Sequence, residues 1–310
     1  MISSFFGKTK PINYIVLSVF LFLFYGLFLM LNYNLEPDYV SFPLEILVLA
    51  VFSLTLFLIN QIVKTEKVTE FSSYAMLFFV LLLLAFSKTL ADKNAIFTNL
   101  FLLLALWRLL AIRSIKNVKH KIFDASFLIC IASLFYDWAL LFLILVFLVI
   151  NVYDGKTVKN WMVPPVAILA VFVLTFTCTK LLGALDFFQS HYRFQFGFLT
   201  DGFFSEKSTT KLIVYSLLVG LLASLVFLKV RKKGGGKLLV LRIVFLAFVL
   251  GVVLSFLKSA DSGPTLITMF PAAVFFTNFL EGIKKERLKE ITIGLCIAIP
   301  VLLFVLELNL

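Results

Sequence analysis

The side chains able to do chemistry are few in this chain, and nearly all of them sit in short polar stretches between apolar runs. The first stretch, NYNLEPDYVSFPLE, carries Glu36 and Asp38, with Glu45 just beyond. Carboxylates two residues apart can act as a general base or hold a divalent cation, and Glu45 can approach them from the start of the next helix. The plainer reading is a solvated loop. Asp137 stands between two short apolar runs, in Phe135-Tyr136-Asp137-Trp138. An acid below the membrane surface has to face protein or a water-filled cavity, which makes it a candidate catalytic group; the alternative is a turn carboxylate in bulk water. Further along, ALDFFQSHYRFQFGFLTDGFFSEKST sets His191 and Arg193 among aromatics, and Lys180 and Lys258 stand at neighbouring turns. These groups suit a phosphate or pyrophosphate. The competing reading is an aromatic-anchored interfacial segment with snorkelling lysines.

Other chemistries find no support. The two histidines, His120 and His191, fall on opposite sides of the expected membrane, so no multi-histidine metal centre can form and no metal site is expected. Gly234-Gly235-Gly236-Lys237 lacks both a following Ser or Thr and a preceding strand, so it reads as a flexible basic turn rather than a phosphate loop. Cys130, Cys178 and Cys296 lie in apolar runs without CxxC spacing and read as packing residues. No cofactor is indicated.

The elements that must position these groups follow from composition. The chain is 62% hydrophobic and 15% charged, whereas soluble folds are roughly half apolar and a quarter charged. Apolar runs cover residues 12–32, 43–63, 71–90, 95–112, 122–136, 138–153, 161–183, 211–230, 238–257, 264–282 and 291–308. Most have the length a helix needs to cross about 30 Å of hydrocarbon, and lipid offers the backbone no partners, so helices are required. The expectation is all-α: a polytopic transmembrane helical bundle of about eleven spans (ten or eleven), forming a single integral membrane domain over 1–310. MISSFFGKTKP resembles a signal n-region, but no small-x-small site follows the apolar run, so a retained first span is expected.

Orientation follows from the bases. One set of connections holds Lys8, Lys10, Lys64, Lys67, Arg113, Lys116, Lys119, Lys121, Lys156, Lys159, Lys229, Arg231, Lys232, Lys233, Lys237, Lys284, Lys285, Arg287 and Lys289; the alternate set holds only Lys88, Lys93, Arg193, Lys207 and Lys258. Bases are retained on the cytoplasmic side, which sets the N-terminus inside and the C-terminus in the periplasm of a bacterial inner membrane. The net charge of +11 is then an inner rim facing anionic headgroups, and no nucleic-acid partner is needed to explain it.

The runs 122–136 and 138–153 are each short. A single tilted helix through Asp137 would invert every later segment and expose RKKGGGK and KKERLK to the outside, against the charge bias, so a hairpin is expected. At 1.5 Å per residue each arm reaches only about 22–24 Å, which sets the turn below the outer surface. The segment 185–204 repeats Leu185, Phe188, Tyr192, Phe196, Leu199 and Phe203 at helical spacing and reads in part as an amphipathic helix on the outer leaflet, although Phe194, Phe196 and Phe198 also fit a strand alternation.

The opening MISSFFGKTKPINYIV, the stretch ALWRLLAIRSIKNVKHKIFDASFLICIASLFYDWALLFLILVF and the following NWMVP resemble an uncharacterised family of polytopic inner-membrane proteins of Bacteroidota. In topology the chain is also similar to integral-membrane glycosyltransferases of the GT-C class, which use polyprenyl-linked sugars. That resemblance implies an acidic catalytic residue in the first outer loop, here Glu36 or Asp38, and a mid-chain hairpin turn near the donor phosphate, here at Asp137. The chain departs from that class in a first outer loop of about ten residues and in a hairpin turn carrying an acid where a base is usual.

The leading expectation is thus a GT-C-like protein acting on a polyprenyl- or lipid-linked substrate at the outer leaflet, with membrane lipid and possible membrane-protein partners around it. A non-catalytic subunit scaffolding a secretion or envelope-assembly complex is the second reading. A small-molecule transporter is the third; it would need paired polar residues near the midplane, where these spans are mostly bare.

Overall fold

The computed structural model describes residues 2–33, 42–192, 194, 196, 207–231, 235–257 and 264–308, and among these all regular structure is helical. The helices are α1 (Ile2–Phe6), α2 (Pro11–Tyr33), α3 (Phe42–Glu66), α4 (Tyr74–Ala85), α5 (Lys93–Leu110), α6 (Val118–Ala132), α7 (Leu143–Asp154), α8 (Val158–Trp161), α9 (Val163–Leu181), α10 (Asp186–His191), α11 (Lys207–Val230), α12 (Gly235–Leu257), α13 (Leu266–Glu281) and α14 (Glu286–Leu308), with 3-10 turns at Ser87–Ala91, Ala111–Ser114 and Asp137–Phe142. Eight helical segments are long and apolar enough to cross a membrane, and α4 and α13 are shorter apolar helices.

Those two short helices occupy the centre. Every residue of α4 from Tyr74 to Ala85 is buried, and α13 is buried along nearly its whole length. They pack on each other, with Phe78 and Phe276 ring centroids 5.4 Å apart. A helix enclosed by protein does not have to match the thickness of the lipid, which is why the apolar run at 71–90 yields only a three-turn α-helix and a 3-10 turn. Around the pair, α2 and α14 lie against α4, α11 and α12 against α13, and α5 links α3 to α6, on which α9 rests. The outermost helices carry the apolar surface that composition demands: Leu23 is 70% exposed, Leu169 65% and Leu221 68%. Apolar faces of that extent have no place in water. This is a polytopic membrane protein.

The chain folds back at 133–142 as expected. α6 packs on both α7 and α8, which a continuous helix through Asp137 could not do. The expected amphipathic helix over 185–204 is only partly present: α10 ends at His191, and residues 197–206 lie outside the described set.

The two ends of α4 orient the rest. At its start, Ser73 N donates to Phe6 O at 2.9 Å, Tyr74 Oη to Ser3 O at 2.6 Å, and Asn13 Nδ2 to Ser73 Oγ at 3.0 Å. Glu281, the last residue of α13, accepts there from Glu70 N at 2.9 Å and Ser72 Oγ at 2.6 Å. Just past the far end of α4, Ser87 Oγ donates to Glu307 Oε2 at 2.5 Å, and Lys211 Nζ donates to Glu307 Oε1 and to Ala85 O. The N-terminal and C-terminal segments therefore sit at opposite ends of the bundle.

Close helix approach depends on small residues where no hydrophobic effect drives association. A Cβ built on Gly251 of α12 would stand 2.9 Å from Thr268 Cγ2 of α13, and Thr268 cannot yield, because its hydroxyl is held by Thr265 O at 2.6 Å and faces Tyr215 Oη at 3.1 Å. Gly251→Val is expected to cost about 1–3 kcal/mol by overpacking and to lower the melting temperature in detergent. Gly220→Ala in α11, where an added Cβ meets nothing within 4 Å, should leave it unchanged; equal behaviour of the two variants would contradict the close α12–α13 contact.

Candidate functional site

Among the described residues, the end of the bundle at which α3 begins holds two buried carboxylates, Glu45 and Asp137, bonded to distant parts of the chain. Glu45, in the first turn of α3, is only 6% exposed. Its Oε2 accepts from Tyr25 Oη of α2 at 2.5 Å, and its Oε1 is ion-paired with Lys93 at the start of α5. A carboxylate in this setting is tolerable because both oxygens are answered.

The neighbouring Asp92 is the N-cap of α5. Its Oδ1 accepts from Ala95 N at 3.0 Å, satisfying one of the free amides of the helix start, while Oδ2 accepts from Tyr136 Oη at 2.6 Å. Tyr136 is the residue before Asp137 in the hairpin turn. The N-terminus of α5 thus joins the helix that follows the first candidate loop to the turn of the hairpin.

Asp137 is 7% exposed. Oδ1 accepts from Trp138 N at 2.9 Å and Oδ2 from Phe194 N at 3.1 Å, so the carboxylate clamps the turn to the segment after α10. That segment lies over the hairpin as a strap. Trp138 meets Phe194 edge-on at 5.2 Å and Phe196 at 5.1 Å. Phe194 adopts φ 43, a left-handed conformation uncommon for a bulky residue, and its amide is the one Asp137 receives.

The strap is also fastened at Ser133. His191 Nε2 lies 2.7 Å from Ser133 O; a carbonyl can only accept, so the proton is on Nε2. The imidazole stacks on Phe187 at 4.8 Å. Ser133 Oγ donates its hydrogen to Cys130 O at 2.7 Å, so Tyr192 is the donor in the 3.1 Å contact between Tyr192 Oη and Ser133 Oγ. Burial pushes the Tyr192 phenol above its ordinary pKa, and the nearby Cys130 and Asp137 push the same way against the Ser133 bond, which keeps the donor protonated at neutral pH.

Of the residues singled out in the sequence, Asp137 and His191 are brought together by the hairpin and its strap. Lys180 is exposed in the last turn of α9 and makes no ion pair among the described residues. Glu36, Asp38, Arg193 and Lys258 lie outside the described residues. Glu45, first considered as a third acid beside Glu36 and Asp38, is committed to Tyr25 and Lys93. Asp92, Lys93, Tyr25 and Tyr136 were not singled out. One signal for Asp92 was present, an Asp immediately before an apolar helical run, which is an N-cap pattern; nothing local announced its second bond to Tyr136. Among the described residues no three His, Cys, Asp or Glu side chains converge on a point where a metal could sit.

If Asp137 clamps the strap, Asp137→Ala should accelerate amide hydrogen exchange across 186–196, with the Phe194 amide most affected, while α4 and α13 stay protected. Unchanged exchange in the strap would show that the aromatic contacts hold it alone.

Comparison with protein-family models, with curated proteins and with solved structures returns no match for this chain, so its function has to be argued from its own residues.

Proposed function

We propose that the chain is a bacterial inner-membrane protein of eleven spans, N-terminus in the cytoplasm and C-terminus outside, that acts at the outer leaflet on a lipid-linked, phosphate-bearing substrate in the manner of the GT-C glycosyltransferases. Eleven spans are the eight long helical segments, the two short central helices and α6. The chain termini at opposite ends of α4 favour an odd number of crossings over the alternative of ten, and the distribution of lysine and arginine assigns the sides.

The observation that carries the functional reading is the bridge made by the start of α5. Lys93 reaches Glu45, a few residues after Glu36 and Asp38, and Asp92 reaches Tyr136, next to Asp137. A GT-C plan requires that the first outer loop and the mid-chain hairpin turn meet, and this bridge holds their flanks at one end of the bundle. In this reading Asp38 or Glu36 is the general base or metal ligand. Asp137 shapes the turn beneath the substrate by holding the strap. In the same reading His191 on the strap, together with Arg193, Lys180 and Lys258, holds the donor phosphate.

One observation favours the second reading, a non-catalytic membrane subunit: Glu45, Asp92 and Asp137 all have their oxygens engaged within the protein. Carboxylates so used are structural, and the aromatic strap with its neighbours would then be the partner-facing surface.

Two experiments test these statements. In a variant lacking Cys130, Cys178 and Cys296, single cysteines at Ser41 and Ser262 are expected to react with an impermeant thiol reagent in spheroplasts and one at Gly235 is not; the reverse pattern overturns the orientation. For activity, the protein in proteoliposomes is given a polyprenyl-phosphate-linked sugar and an acceptor, and release of polyprenyl phosphate is measured. Replacing the essential acid, by Asp38→Asn or Glu36→Gln, should cut the rate at least about a hundredfold, the usual weight of a positioned base, with the melting temperature unchanged. Activity that survives both substitutions rejects the assigned base, and a wild-type protein that releases nothing while remaining folded favours the subunit reading.

A further inference from the structure

A second feature lies apart from the hairpin and its strap. Between α11 and α14, over the flank of α4, runs a concave cleft of about 980 Å3. α11 packs on α13 and α12 while α14 packs on α4 and α1, and a recess runs between α11 and α14 along one flank of α4. The lining is overwhelmingly apolar, with Leu82, Leu218, Pro300 and Leu303 along the walls. The surfaces flanking the opening are apolar too: Leu221 is 68% exposed and Leu302 61%. A cleft of this kind opens into the hydrocarbon of the bilayer.

Its two ends differ. At the mouth stand Lys88, Lys211 and Glu307, with the hydroxyls of Ser208 and Thr210 beside them. At the other end the paired rings of Phe78 and Phe276, 5.4 Å apart, close the floor. The distance between them can be read along the helices. From Glu307 to Cys296 on α14 the lining covers eleven residue steps, about 16 Å at 1.5 Å per residue. That is close to half of the roughly 30 Å hydrocarbon core, the depth of one leaflet.

The charge at the mouth is specific. Lys211 is neutralised by Glu307, which Ser87 also holds, and its ammonium rests over the Phe86 ring at 4.8 Å. Lys88 is exposed and has no ion-pair partner among the described residues. Among the described residues the rim therefore carries one uncompensated positive charge, Lys88, above an apolar channel one leaflet deep.

We infer that this cleft binds an anionic glycerophospholipid of the outer leaflet, one acyl chain lying between α11 and α14 and the phosphodiester at Lys88. A phosphodiester carries a single negative charge and matches the rim. A chain of one leaflet's length fills the cleft to its Phe78–Phe276 floor, whereas a long polyprenyl chain would have to leave it. The site uses none of the residues assigned to the lipid-linked substrate and stands without that activity; only the choice of leaflet rests on the proposed orientation.

The test is native mass spectrometry of the delipidated full-length protein, titrated separately with phosphatidylglycerol and with phosphatidylcholine of the same chains. The wild-type protein is expected to retain one phosphatidylglycerol under activation that strips phosphatidylcholine. Leu303→Trp, which fills the channel, should abolish retention of either lipid. Lys88→Gln, an exposed substitution that leaves the packing intact, should lower the preference for phosphatidylglycerol by about fivefold, the weight of one lysine facing an anionic headgroup. Equal retention of the two lipids by the wild-type protein, or an unchanged preference in Lys88→Gln, overturns the inference. Displacement of phosphatidylglycerol by equimolar long-chain polyprenyl phosphate would reassign the cleft to a lipid-linked substrate.

Discussion

A carboxylate carried into a bilayer has to be answered by the protein itself, because the hydrocarbon offers it neither water nor counter-ion. In this chain the stretch between Ser87 and Lys93 takes part in three such ties at one end of the bundle. Ser87 donates to Glu307 of α14, Asp92 accepts from Tyr136 of the hairpin, and Lys93 donates to Glu45 of α3, which also accepts from Tyr25 of α2. These residues follow the central helix α4, so every peripheral element they hold is referenced to the same buried axis. In a low-dielectric setting each such bond is strong and each unpaired remnant is costly, so the set behaves as a unit and the helices at that end have one arrangement available.

The opposite end is built differently. There the N-terminal α1 is laced through backbone carbonyls, with Tyr74 and Asn13 reaching Ser3, Phe5 and Lys8, and Glu281 held by a backbone amide and a serine hydroxyl rather than by a lysine. The many bases of that end are mostly exposed on connections, where they are free to meet headgroups. One end is thus closed by internal ion pairs and one presents charge outward, a division that suits a protein whose chemistry or partner contacts lie on the side of the hairpin and its strap.

Between the ends, lipid-facing helices vary freely in how much they bury. α9 is held mainly by α6, and α14 by α4, while α4 and α13 are enclosed. This gradient explains why a cleft can exist without weakening the bundle. The enclosed pair and the polar ties hold α11 and α14 at their ends, so the interval between them is left for lipid to fill. In a membrane, helix association depends on packing and hydrogen bonds rather than on expulsion of water, and a gap filled by an acyl chain costs little.

Class, helical content, the hairpin at Asp137 and the alternation of basic and base-poor connections were legible from residue types and run lengths, since lipid admits few backbone solutions and imposes a minimum helix length. Asp137 itself was legible as an acid forced to face protein. Its use was not: that it clamps the amide of Phe194, 57 residues away, depends on where the strap falls. The same holds for Glu45 and Lys93, 48 residues apart, and for Ser87 and Glu307, 220 apart. The brevity of α4 and α13 was also hidden, because an apolar run looks alike whether lipid or protein surrounds it. Run length and hydropathy specify which segments are helices. They carry no record of which helix stands beside which, and that lateral order, decided by packing and by the pairing of buried charge, is what turned isolated acids and lysines into ties and left a cleft between α11 and α14.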